Sequence, residues 1–460
     1  MEQTKTKKAL IMSVLSMVLC IAMLIGMTFA WFTDTASTGV NKIQAGNLKV
    51  DIVDKEGNTL VGKELKWQKA AGHENEAVLW EPGCEYKLDS FKIVNKGNLA
   101  LKYKVAITGL TGDAELLEAI DFTISDGTKS YNLDGWEGQL LPKGSTATDG
   151  ADVEATSLFT ITGKMKTTAG NEYQEKSIEG ISVTVVATQM KYESDSYGNT
   201  YDENAGYPEI KTVTDAASIA AAVADLANEG NKNVLVTVAK NMDKTSAIKT
   251  AKGNTLTMDL NGKTVGVSYG DGSANTTTNG MQLLQGSTVT LKNGTYKANH
   301  GNDADHNIAI LIQNYSNLTI DNCTLDMREA NDTAGNSRGT SYALSTNCGK
   351  IVIKGNTNIY SRSGEEYALD VMHWENTSYK EEGTSVVFEE SMTGTVDGKI
   401  DVYCYRNNRV VKPVDDNGAT LVIKGGTFKN SGLSLEQFKA FVPAGYNVTT
   451  NADGSYTVSK

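Results

Sequence analysis

Leu256-Thr-Met-Asp-Leu-Asn-Gly-Lys-Thr-Val265, Val289-Thr-Leu-Lys-Asn-Gly-Thr-Tyr296 and Leu318-Thr-Ile-Asp-Asn-Cys-Thr-Leu325 are copies of one pattern. Alternating apolar residues are followed by a turn with Asn or Gly, then Thr and a further apolar residue. Ile351-Val-Ile-Lys-Gly-Asn-Thr-Asn-Ile359, Val386-Val-Phe-Glu-Glu-Ser-Met-Thr-Gly394 and Leu421-Val-Ile-Lys-Gly-Gly-Thr-Phe428 continue it. The starts lie 33, 29, 33, 35 and 35 residues apart. A period of this size marks a repeat architecture. Each unit carries too little apolar surface to fold alone, so the units must stack into one continuous core. Strand–turn–strand units of this length predict a right-handed parallel β-helix.

The pattern resembles the pectin-lyase-like superfamily, and the β-helix is assigned to residues 209–460. Just ahead of the repeat, residues 215–229 read as a cap helix. Ile219, Val223 and Leu226 share one face, alanines fill the rest, and Gly230 takes the position after the last turn. Such a helix covers strand edges that could otherwise pair with another chain. Beyond the last repeat, Leu435 to Phe441 reads as a short helix, and the segments Phe441–Val448 and Gly454–Val458 as a closing hairpin. Residues 193–208, ESDSYGNTYDENAGYP, are polar and lack an apolar period, which is the composition of a linker.

Residues 31–192 carry period-two patterns. Leu48, Val50 and Ile52 alternate with polar residues, as do Leu101, Tyr103, Val105 and Ile107, and Ile181, Val183 and Val185. One face on a core and one in water is the mark of an antiparallel sandwich. Asp113 to Ile120 adds one short helix, with Leu116, Leu117 and Ile120 inward. The fold class is therefore all-β.

The chain opens with Lys5, Lys7 and Lys8, then an apolar run from Ala9 to Phe32. A basic start, an apolar core and the small residues of Thr28-Phe29-Ala30 make residues 1–30 an export signal peptide, cleaved between Ala30 and Trp31. Without cleavage the run is long enough to anchor the protein in a membrane. The expected location is secreted, extracellular or cell-surface associated. The stretch TFAWFTD, followed by IQAGNLKVDI, resembles the start of the TasA/camelysin family of exported bacterial proteins. Glu81-Pro82-Gly83 with Phe91-Lys-Ile-Val-Asn-Lys-Gly-Asn-Leu-Ala100 resembles that family's core, and Val183-Thr-Val-Val-Ala-Thr-Gln189 its final strand. The resemblance covers residues 1 to about 192 and narrows the sandwich to a jelly roll. It implies a dedicated signal peptidase as one partner. It also implies that the freed segment from Trp31, Phe32, Thr33 and Asp34 adds as a strand to the next copy, giving a head-to-tail homopolymer of the biofilm matrix.

The net charge is −12, and loss of residues 1–30 removes one Glu and three Lys, leaving −14. Phosphate contacts need basic clusters, so nucleic acid is excluded as a partner. Of five cysteines, Cys84, Cys323, Cys348 and Cys404 follow the signal, with no C-x-x-C pair. A bridge from Cys323 to Cys348 is one option, and Cys84 reads as a small apolar residue or free thiol.

The camelysin name invites a metallopeptidase. A zincin needs two His one turn apart with a Glu between them. Only His73 lies in the first domain, in Gly-His73-Glu-Asn-Glu, and no metal site is assigned. A polysaccharide lyase or hydrolase is the main rival to a structural role, because β-helices invite it. Hydrolases need two carboxylates about the scissile bond, and lyases a base with calcium on clustered acids. The acids here are dispersed. Asp303, Asp305 and His306 form the most suggestive group, followed by Asp370 near His373 and the pair Asp415-Asp416. No cofactor is called for; a structural Ca²⁺ stays open as an option that nothing in the spacing supports. Tyr360, Tyr367, Trp374, Tyr379, Tyr403 and Tyr405 concentrate in the last coils, beside Arg362, Arg406 and Arg409. Aromatic faces and planar donors suit sugar rings, so Trp374, Tyr403, Tyr405, Arg406 and Arg409 are the glycan-binding candidates. The chain reads as an exported surface or matrix protein, with extracellular glycans, matrix proteins and itself as partners.

Overall fold

The computed structural model describes residues 48–460 except 61–62, 64, 74–77, 109–110, 113–114, 134–135, 143–144, 146–151, 177, 180–181, 191–205, 272–277, 300–307, 331–340, 376–382, 407–408 and 412–418. The expected signal peptide and most of the expected linker therefore lie outside the described residues. What is described is nearly all strand.

Between Val50 and Gln189 two main sheets face each other. One holds Asp152–Val153, Glu137–Leu141, Leu101–Thr108 and Ser182–Gln189 in that order; the other holds Trp67–Gln68, Glu85–Leu88, Thr160–Met165, Ile120–Ser125 and Ser130–Asn132. Leu101, Tyr103, Val105 and Leu140 from the first meet Leu88, Ile124 and Ile161 from the second in one buried core. The alternation read from the sequence therefore puts Leu101, Tyr103 and Val105 inside, as expected. Gly138 pairs across from Tyr103, and any side chain there would strike the tyrosine ring. Leu48 departs from the expectation and is exposed, because the strand starts only at Val50. The helix expected over Asp113–Ile120 is a single turn, Glu115–Glu118, with Leu116 and Ile120 buried.

From Glu209 onward the chain winds into a β-solenoid. The six repeat starts stack in register: Leu256 on Val289, Leu318, Ile351, Val386 and Leu421 in turn, all in parallel strands. Val234 precedes them on a further rung. After the Asn/Gly turn a second inward column follows, from Val265 through Tyr296, Leu325, Ile359 and Val396 to Phe428. A second sheet supplies a third column, Ile248, Met281, Ile312, Leu344, Leu369 and Ile400. These three columns enclose one core. A polar group carried into it is satisfied there: the buried Tyr296 hydroxyl donates to the Gly280 carbonyl at 2.8 Å.

The turn between the first two columns needs left-handed backbone. Asn261, Asn293 and Asn322 hold φ of 49°, 58° and 50° there, and Gly355 holds 65°. Asn tolerates that region better than other side chains, which is why the repeat places Asn or Gly after its alternating residues. Just before the turn, the outward side chains are Asp259, Lys292, Asp321 and Lys354 in register. Glu389 and Lys424 continue the column. Its sign alternates at every rung, with Lys292–Asp259 and Lys354–Asp321 at 3.2 Å and Lys424–Glu389 at 3.4 Å.

Both ends are covered. Ala216–Val223 is a helix capped by Asp215, which accepts from the Ser218 amide at 2.7 Å, and it buries Ile219 and Val223. The expected single helix to residue 229 is corrected: it tightens after Val223 into a 3₁₀ turn, Ala224–Ala227, that seats Leu226 on the core. Gly230 does not take the left-handed position expected of it; its amide bonds the Lys252 carbonyl instead. At the other end, Tyr456–Ser459 pairs antiparallel with Gly426–Lys429 and with Asn447–Thr450, the closing hairpin. Phe388, Phe428, Phe438 and Tyr456 form a chain of rings there, at centroid distances of 5.1, 5.1 and 4.8 Å.

Candidate functional site

The second sheet of the solenoid carries the candidate site on its outward face. Its strands Tyr342–Asn347, Tyr367–Trp374 and Lys399–Arg406 are parallel neighbours. Leu344, Leu369 and Ile400 point inward, so the next residues, Ser345, Asp370 and Asp401, point outward in register. Gln313 and Gln282 extend that polar row on the preceding rungs.

Rings flank the row on both sides. Tyr342 and Tyr367 stack with centroids 5.3 Å apart and planes at 27°. On the other side Tyr403 pairs with Met372, and Tyr405 pairs with Trp374 one alternation further on. Trp374 is 38% exposed, while Tyr403 and Tyr405 are half-buried. Of the five glycan-binding candidates, the structure thus places Trp374, Tyr403 and Tyr405 on one face. Arg406 and Arg409 are Cα partners in the antiparallel strand pair at the end of this sheet.

Asp370 anchors the floor. Ser345 Oγ donates to its Oδ2 at 2.8 Å, and the Tyr403 hydroxyl bonds the same carboxylate. Burial, then the charge of Asp370, pushes the Tyr403 phenol well above its ordinary range, so it stays a donor at any physiological pH. Asn347 lies two residues beyond Ser345 on the same face, 4% exposed, and its Oδ1 has no hydrogen-bond partner.

Other expectations resolve differently. Tyr360 and Arg362 do not join this face. Tyr360 belongs to the first sheet, where the Arg328 guanidinium sits 4.1 Å over its ring, and Arg362 pairs with Glu366 at 2.7 Å. Asp303, Asp305 and His306, the weak catalytic candidates, lie outside the described residues, as do Tyr379, the pair Asp415-Asp416 and the residues expected to take part in processing and assembly, Thr28, Ala30, Trp31, Phe32, Thr33 and Asp34. His73 is exposed on a turn. Among the described residues, no group of three or more His, Cys, Asp or Glu side chains is placed to hold a metal ion.

The Cys323–Cys348 bridge is not made: none of the four described cysteines is in a disulfide. Cys323 belongs to a strand of the first sheet, whereas Cys348 follows a strand of the second, so their side chains sit at different corners. Cys348 lies 3.8 Å from His373 Nδ1, inside the coil, with Cys404 in register beyond the imidazole. Burial raises both the Cys323 and the Cys348 thiols, which keeps them protonated and unreactive.

Sequence reasoning noted Asp370 only as a scattered acid and passed over Ser345, Asn347 and Tyr342. Aligning the third strand of each coil by its apolar residues would have found them, since Leu344, Leu369 and Ile400 set the register of all that follows.

A family model described as camelysin metallo-endopeptidase matches residues 5–62. No curated protein and no solved structure matches the chain. The matched stretch includes TFAWFTD and IQAGNLKVDI and ends ahead of Glu81-Pro82-Gly83. Among the described residues, no helix is long and apolar enough to cross a membrane.

Proposed function

We propose that this is an exported structural protein of the bacterial surface or biofilm matrix. Its signal is removed after Ala30, the freed segment from Trp31 assembles copies head to tail, and the solenoid displays a glycan-binding face. The observation that carries the glycan reading is the placement of Trp374 beside Tyr405 on a face that also holds the Tyr342–Tyr367 stack. Aromatic faces bury the apolar side of a sugar ring, while neighbouring polar groups take its hydroxyls. The match over residues 5–62 supports export and a family likeness for the leading segment. A jelly-roll sandwich followed by a right-handed β-helix, joined by the linker 193–208, remains the architecture we favour.

The matched family's description names a metallo-endopeptidase. His73 has no second His a helical turn away, so that activity is not proposed for this chain. A hydrolase acting through the solenoid stays as a second reading, favoured by Asp370 and Asp401 in register on adjacent strands. It would release new reducing ends from a polysaccharide, and Asp370→Asn would stop that release.

Affinity electrophoresis of the secreted protein through gels containing soluble polysaccharides tests the main reading. Retardation in at least one gel is expected, and loss of it in the Trp374→Ala, Tyr405→Ala double variant. Unretarded migration of the parent protein in every gel would sink the glycan reading. For assembly, electron microscopy of protein lacking residues 31–38 should show no filaments under conditions where the parent forms them. Filaments from the shortened protein would exclude strand addition.

A further inference from the structure

We propose that the outward face of the second sheet binds a linear, non-acidic glycan lying along the solenoid axis, with neutral or amino sugars over Asp370 and Asp401. This rests on the glycan-binding reading above and gives it a direction and a ligand class.

Direction comes from the register. Ser345, Asp370 and Asp401 occupy equivalent positions on successive rungs, so the row they form runs across the strands and along the axis. Parallel strands are spaced about 4.8 Å apart, close to the advance per residue of an extended pyranose chain. A polymer laid along the row therefore meets an equivalent position at each sugar. One laid along a strand would cross the row once and then leave it.

Ligand class comes from what the floor offers. The carboxylates of Asp370 and Asp401 accept hydrogen bonds and cannot donate. Asp370 already takes the Ser345 hydroxyl at 2.8 Å and the Tyr403 hydroxyl, so it is held in a fixed orientation. Asn347, 4% exposed, packs beneath the row and helps to hold it in place. Polyuronates bring the wrong chemistry: their carboxylates add acceptors and like charge beside Asp370 and Asp401. The Tyr342–Tyr367 stack on one flank and Trp374 on the other supply the apolar walls.

The test is titration calorimetry on the secreted full-length protein with chitohexaose, glucosamine hexamer, cellohexaose and galacturonate hexamer, and with the dimer of each. The hexamer of at least one of the first three should bind about ten-fold or more tighter than its dimer, since several rungs act together, and galacturonate hexamer about ten-fold or more weaker. Asp370→Asn should weaken the glucosamine hexamer more than chitohexaose, because only the former loses a charge partner. Asp401→Asn, at a half-buried position, provides the same comparison should Asp370→Asn lose its fold by circular dichroism. Equal affinity for dimer and hexamer would overturn the axial direction, and preferred binding of galacturonate hexamer would overturn the ligand class. Both outcomes leave a glycan-binding protein. Failure of every oligosaccharide to bind would instead remove the glycan reading itself, and this inference with it.

Discussion

Lys354→Glu probes the alternating column on the first sheet. Lys354 Nζ lies 3.2 Å from Asp321 Oδ2, with the two side chains 39% and 28% exposed, and Glu389 stands on the next rung. In water, unit charges about 4.8 Å apart interact by about 0.9 kcal/mol, and by about 3.5 kcal/mol at an effective dielectric of about 20. Exposed pairs deliver less after screening and side-chain ordering, about 0.5 kcal/mol each. Reversing the charge turns two such attractions into two repulsions, a loss of about 2 kcal/mol. For a body of this size that is about 4–8 °C in melting temperature. Lys354→Met removes only the attractions and should cost about 1 kcal/mol. Thermal melts by circular dichroism at low salt and in about 0.5 M NaCl check both, and the added salt should recover about half of the Glu penalty. Equal losses for Met and Glu, or a Glu penalty indifferent to salt, would show that the column contributes packing alone.

Two further outcomes are expected. Tyr207, in the last residues of the expected linker, lies under the ammonium groups of Lys102 and Lys104 at 4.9 and 4.7 Å and donates to Glu137 Oε2 at 3.3 Å, so it ties the start of the solenoid to the sandwich. Tyr207→Ala should speed proteolysis within residues 193–208 several-fold while Tyr207→Phe, which keeps the ring, has a smaller effect; unchanged cleavage would show that the tie does not restrain the linker. Asp326 gives a pH signature: burial raises its carboxyl, but hydrogen bonds and charge from Arg328 outweigh this and leave it lowered. A lowered folded value stabilises above the unfolded pKa of about 3.9 and is lost as pH falls through the folded one. Asp326→Asn should therefore cost about 1 kcal/mol at pH 7 and progressively less below about pH 4, and a penalty that stays constant down to about pH 2 would refute the assignment.

The repeat was legible because its turn demands Asn or Gly and its columns demand apolar residues at fixed offsets. Leu256, Val289, Leu318, Ile351, Val386 and Leu421 are repeat starts in the sequence and Cα partners in the fold. Asn233–Val238 escaped the pattern because no Asn/Gly turn follows it, and it is buried on both faces beside the cap helix. The site was only partly legible. Tyr342 and Tyr405 stand far apart in the chain and come to one face only through stacking of the third strand, whose preceding connections differ in length and so leave no period to read. Proximity in sequence misled for Tyr360 and Arg362, since the chain turns a corner between Tyr360 and Tyr367. Helix periodicity placed Ile219, Val223 and Leu226 correctly but could not report that the last turn tightens to press Leu226 onto the core.

The alternating column also constrains how such a solenoid can change length. Duplicating a single rung, say the one bearing Asp321, would set two acids side by side and leave every later rung one step out of phase with the sheet before it. Duplicating two rungs together inserts one acid and one base and leaves all contacts matched. The smallest unit that can be copied or lost without a like-charge junction is therefore a pair of coils, although the backbone repeats with every one.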